Sequence, residues 1–147
     1  MRARALQVAA LLVTLVSGLP LAVQEGPAAW LARIFDPASL KLEAFAGAQL
    51  NRKLSTDAIA LERGGTKQIA IYTLPLDQVK AAAEHFGKQL GTKAQIMAEG
   101  SPFETHVYDL TGASAPARFK GLRLVISRSQ FVDNKGQITL EYTPAAQ

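Results

Sequence analysis

The sequence predicts an α+β fold: an antiparallel β-sheet with one main amphipathic helix packed on one face, preceded by an N-terminal apolar helix. Three observations lead there. Leu76, Val79, Ala83, Phe86 and Leu90 recur at spacings of three and four residues, the apolar stripe of a one-sided helix. Short runs around it alternate apolar with polar residues, most clearly Leu122, Leu124, Ile126 and Ile138, Leu140, Tyr142, as half-buried strands do. A single helix among several strands cannot build a parallel α/β protein, in which strand and helix alternate throughout.

The chain opens with two arginines, Arg2 and Arg4, ahead of a stretch from Ala5 to Val23 without an ionisable side chain. A basic head followed by an apolar run reads as a secretory signal, and the same stretch, left uncut, is close to the length of a membrane-spanning helix. Residues 1–23 are therefore expected to be a signal peptide or an N-terminal membrane anchor. Either places the remainder in the periplasm or on the outer face of the inner membrane, because the arginines stay inside. In the connecting region, 24–55, Gly26 and Pro27 open a short helix whose apolar face is Trp30, Leu31, Ile34 and Phe35, ended by Asp36-Pro37. Membrane contact, if the chain makes it, runs through residues 5–23 and Trp30.

The α+β domain is expected over 56–143, with 144–147 as a tail. Ile59 and Leu61, then Ile69 and Ile71, alternate on either side of Gly64-Gly65, which reads as a hairpin. Pro75 stops the second strand and starts the helix, which ends at Gly91. "KAQIMAE", "FETHVYDL", "GLRLVIS" and "GQITLEYT" follow as extended pieces. The order is thus strand-strand-helix-strand-strand-strand-strand. In the last hairpin a three-residue loop, Asn134 to Gly136, with Gly136 left-handed, sets Val132 against Ile138 and Arg128 against Tyr142. That register keeps both apolar rows on one face and leaves Arg123, Ser127, Thr139 and Glu141 on a wetter one.

"EAFAGAQL" and "IAIYTLPLDQVKAAAEHFGKQLG" together resemble a group of poorly characterised bacterial exported α+β domains. Their pattern is a "YPGA" turn, a strand ending in "YT", and a "P-x-D-x-V" entry into a helix with an aromatic pair. Phe45 to Ala48 occupy the turn, Tyr72 and Thr73 the strand end, Leu76, Asp77 and Val79 the helix start, and Phe86 the aromatic site. Ala46 stands where the pattern has proline. The resemblance implies a fold and an envelope address, and it carries no catalytic residues.

Composition narrows the chemistry. The chain has no cysteine, so disulfides, thiolate metal sites and thiol catalysis are excluded. Its 16 basic and 12 acidic residues leave an excess of two once Arg2 and Arg4 are set aside, too little to call for nucleic acid. His106 shares strand parity with Glu104, and with Asp109 these form the candidate group for hydrolytic or metal-assisted chemistry. Two same-face ligands fall short of a zinc site, so neither a metal nor another cofactor is expected. Arg118, Lys120, Arg123 and Arg128 form a candidate basic binding strip. His85, about 100° off the buried stripe, is expected to face solvent. The resulting expectation is an exported, non-catalytic binding or interaction module for an envelope protein or small ligand. The alternatives are an envelope hydrolase or metal-assisted enzyme using His106 and Glu104, and a membrane-tethered scaffold.

Overall fold

The computed structural model describes residues 34–62 and 66–144. The apolar stretch 5–23, Trp30 and the Gly64-Gly65 turn lie outside them. Among the described residues six strands form one sheet in the order β1-β2-β6-β5-β4-β3, with every neighbouring pair antiparallel. They are β1 (Gln49–Leu50), β2 (Gln68–Pro75), β3 (Gln95–Met97), β4 (Thr105–Leu110), β5 (Leu122–Arg128) and β6 (Lys135–Tyr142). Among the described residues two α-helices, α1 (Arg52–Leu61) and α2 (Val79–Leu90), accompany the sheet and give an α+β fold.

The helix read from the stripe is α2. A 3₁₀ turn, Leu76–Gln78, leads from Pro75 into it, and Gly91 caps its end with a φ of 65°, a conformation that costs a residue without Cβ little. Ala82, Ala83, Phe86 and Leu90 bury against Ala70, Leu124, Ile126, Ile138 and Leu140. Gly136 permits this approach: a Cβ there would lie 2.6 Å from Val79 Cγ2.

The first expected strand is instead a helix. Ile59 and Leu61 alternate as a strand would, yet Asn51 Oδ1 accepts from the Leu54 N–H at 3.0 Å and caps α1. Leu54, Ala58 and Ile59 then share a helical face that packs on Ile69 and Ile71. Leu61, which the strand reading buries beside Ile59, is 83% exposed. Strand alternation places Ile69 and Ile71 on the face opposite Ala70 and Leu74. The sheet therefore carries a helix on each face, α2 over one and α1 over the β2 side of the other.

The last hairpin also differs from its expected register. Arg128 lies opposite Gly136 and Leu122 opposite Tyr142, so Arg128 and Tyr142 are at different ends and do not stack. Tyr142 packs beside Phe35, ring centroids 5.8 Å apart. The loop is longer because Ser129 organises it: its N–H donates to the Lys135 carbonyl, and its Oγ accepts from the Phe131 and Val132 N–H groups at 3.1 and 3.0 Å. Asn134, not Gly136, takes the left-handed conformation, with φ 57°. The expected parity holds, since paired positions remain even with even, and the two rows bury on the α2 face.

Candidate functional site

Two adjoining hollows flank the side of α2 that faces β3 and β4. The first is set by Tyr108. Its hydroxyl donates to the Ala83 carbonyl at 2.7 Å, and Gly87 leaves room for it, since a Cβ there would lie 2.7 Å from that oxygen. Burial, with Glu84 adding to it, pushes the phenol up from its ordinary pKa, so the ring is a neutral donor. Beyond this contact the sheet runs out from under the helix. All three residues of β3 are exposed, Ile96 by 42% and Met97 by 54%. The result is an open groove of about 510 Å³, floored by Ile96, His106 and Tyr108 and rimmed by Lys80, Glu84 and Lys88 of α2 and by Lys93.

The second hollow, about 390 Å³, lies where three connections meet at one end of the sheet. The corner before α2 contributes Asp77, the first turn of α2 Lys80, the β3–β4 loop Ser101 and Glu104, and the end of β5 Arg128. Local bonds shape the loop. Ala98 and Gly100 take positive φ values of 51° and 78°, and Ser101 Oγ donates to the Ala98 carbonyl and accepts from the Phe103 N–H. Glu104 joins loop to strand: Oε2 accepts from the Gly100 N–H at 2.8 Å, and Oε1 lies 2.8 Å from His106 Nε2. The Gly100 N–H first, and His106 second, hold the Glu104 carboxyl below the usual carboxylate range, with Lys80 contributing at longer reach.

The candidate residues read from the sequence separate into groups. Glu104 and His106 are hydrogen-bonded. Asp109 is on the other face of the sheet, because Tyr108 points at α2 and neighbouring strand residues alternate. There Asp109 pairs across with Arg123, and the Thr111 hydroxyl and N–H hold its carboxyl below the usual range. The basic residues do not line up as one strip. Arg118 donates to the Leu40 and Lys41 carbonyls at 3.0 and 3.1 Å and covers the Phe119 ring, pinning the entry segment. Lys120 is exposed next to it, Arg123 sits on the open face, and Arg128 reaches the end hollow.

His85 is not simply solvent-facing. It is half-buried, edge-on to Phe45 and Phe86, with Nε2 2.9 Å from the Glu43 carbonyl oxygen and 2.9 Å from the Gln89 amide nitrogen. Gln89 accepts from the Glu43 N–H at 2.7 Å and donates to its carbonyl, so the two side chains tie the 43–45 segment to α2.

Among the described residues no group of three or more His, Cys, Asp or Glu side chains is placed to hold a metal ion. The residues that sequence reasoning missed are Lys80, Lys88, Lys93, Ile96 and Tyr108. Lys80, Glu84 and Lys88 do recur every four residues, a legible stripe, but nothing local says which surface they border. Comparison with protein-family models, with curated proteins and with solved structures gives no match.

Proposed function

We propose that this chain is an exported, non-catalytic binding module that takes a protein or peptide ligand at the exposed β3 edge of its sheet. The observation that carries this reading is β3 itself. Proteins ordinarily guard a sheet edge with charge, proline or a covering element, or by keeping the edge strand very short, and of these β3 has only its shortness. Gln95, Ile96 and Met97 have neither charge nor proline, and α2 stops short of covering them. Strand addition there would supply main-chain hydrogen bonds, with the neighbouring groove receiving alternate side chains. Because β3 has only three residues, the ladder offers few bonds and the groove must contribute much of the selectivity. Export is supported by the arginine head and the uncharged apolar run.

Selection of a random peptide display library on the full-length chain tests the site. Enriched peptides should shift the backbone amides of residues 93–98 and 105–108. Shifts confined to the open sheet face, or no enrichment, would remove the reading. Intact-mass measurement of chain recovered from the envelope separates a cleaved module from a tethered scaffold.

One observation favours an enzyme, the 2.8 Å contact between His106 and Glu104. In that second reading the pair acts as acid and base for a hydrolysis in the hollow beside it. Loss of turnover on His106→Ala, with the fold intact, would support it.

A further inference from the structure

We infer that the groove beside β3 selects an acidic extended segment, one with carboxylates four residues apart and an apolar side chain midway between them. This rests on the edge-binding reading above and adds the chemistry of the partner. Three lysines, Lys80, Lys88 and Lys93, rim the groove, against one lining carboxylate, Glu84, and a second just beside it, Glu104, which is held by the Gly100 N–H and His106. All three are exposed, and none makes an ion pair or hydrogen bond among the described residues. A groove with this imbalance and a low-dielectric floor draws negative charge.

Spacing converts that preference into a pattern. Lys80 and Lys88 are eight residues apart on one helix, on the order of 12 Å at 1.5 Å per residue. An added strand advances roughly 3.3 Å per residue, so one laid along α2 covers the same length in about four residues. Side chains at positions i, i+2 and i+4 of the segment all point into the groove. Acids at i and i+4 meet the two lysines. Glu84 sits midway between them, so the central position must not be acidic, and the Ile96 and Tyr108 surface below it suits an apolar side chain. Lys93, beyond α2, adds to the positive rim where the chain enters β3.

Fluorescently labelled short peptides, titrated against the full-length chain by anisotropy with amide shifts recorded in parallel, test this. The core Glu-Thr-Val-Thr-Glu is compared with Lys-Thr-Val-Thr-Lys and with Glu-Thr-Glu-Thr-Glu. The first should bind most tightly, weaken as salt is raised and shift the Gln95–Met97 amides. Lys80→Glu with Lys88→Glu, both at exposed positions, should weaken it at least about tenfold and bring the lysine peptide up instead. Equal binding of all three peptides at the β3 amides would overturn the acidic pattern and leave edge binding standing. Absence of β3 shifts with any of them would overturn both.

Discussion

Ser55 shows how one hydroxyl joins a helix to a sheet. It is fully buried, donates to the Asn51 carbonyl at 2.7 Å and accepts from the Ile71 N–H at 2.9 Å. β1 has ended by this point, so Ser55 takes over as the hydrogen-bonding partner of the β2 edge. Ser55→Ala should leave the Ile71 N–H buried and unsatisfied, costing about 1–3 kcal/mol. Its neighbour Thr56 bonds its hydroxyl back to Arg52 at an exposed position, and Thr56→Ala should change stability by less than about 0.5 kcal/mol. Urea titration of the two variants checks this, and similar losses would sink the assigned role. Gly87 offers a sign reversal. Gly87→Ala should destabilise the chain by about 1 kcal/mol, because overpacking against the Tyr108 hydroxyl outweighs the gain in helix propensity. In a Tyr108→Phe background the nearest ring carbon is 3.5 Å away, an ordinary contact, so the same substitution should stabilise by up to about 1 kcal/mol. The same sign in both backgrounds would mean that the hydroxyl does not set the approach.

At the scale of elements, α2 gives four buried side chains to the core, Ala82, Ala83, Phe86 and Leu90. Phe86, 2% exposed, sits at its centre between Ala82, Leu90 and the β6 row. Phe86→Ala should open a cavity and cost about 3–5 kcal/mol. His85→Ala should cost about 1 kcal/mol through the lost tie to the Glu43 carbonyl, more than a solvent-facing site and less than Phe86. Thermal or denaturant unfolding ranks the two, and a larger loss at His85 would contradict the packing described for α2. The neighbouring α1 depends on context in a different way. Its Ile59 and Leu61 fit a strand as well as a helix, and the Asn51 cap together with the Ile69–Ile71 surface selects the helix. Two apolar residues at alternate positions carry too little information to choose a period.

For the whole molecule, pH acts through carboxylates that the fold holds charged. Glu104 and Asp109 both have lowered folded values, so the folded chain binds fewer protons than the unfolded chain in the acid range. Their contribution to stability is fully present above the ordinary carboxylate values of about 4 and is lost as pH falls through the lower folded values. Urea midpoints should therefore be nearly flat above about pH 5 and fall on acidification, with Glu104→Gln flattening part of the fall. A midpoint that rises as pH drops from 5 to 3 would contradict the sign. Glu104 lies in the loop just before β4 and Asp109 near the far end of that strand on its other face, so Asp109→Asn should add to Glu104→Gln with little coupling between them.

What the sequence by itself determined is local. The stripe from Leu76 to Leu90, its stop at Gly91, and the shared parity of the Leu122–Ile126 and Ile138–Tyr142 rows all follow from side-chain periodicity within a few turns or one hairpin. Glu104 and His106 could be placed on one side for the same reason. Only the tertiary structure decided that residues 52–61 are a helix, that β6 enters between β2 and β5, and that Arg128 faces Gly136 and not Tyr142. It also decided that α2 leaves β3 uncovered, which turns an ordinary polar helix face into the rim of a groove. These outcomes rest on pairings between segments far apart in the chain. Residue spacing limits each segment to a face, whereas the choice of neighbour depends on which faces can be buried together at once.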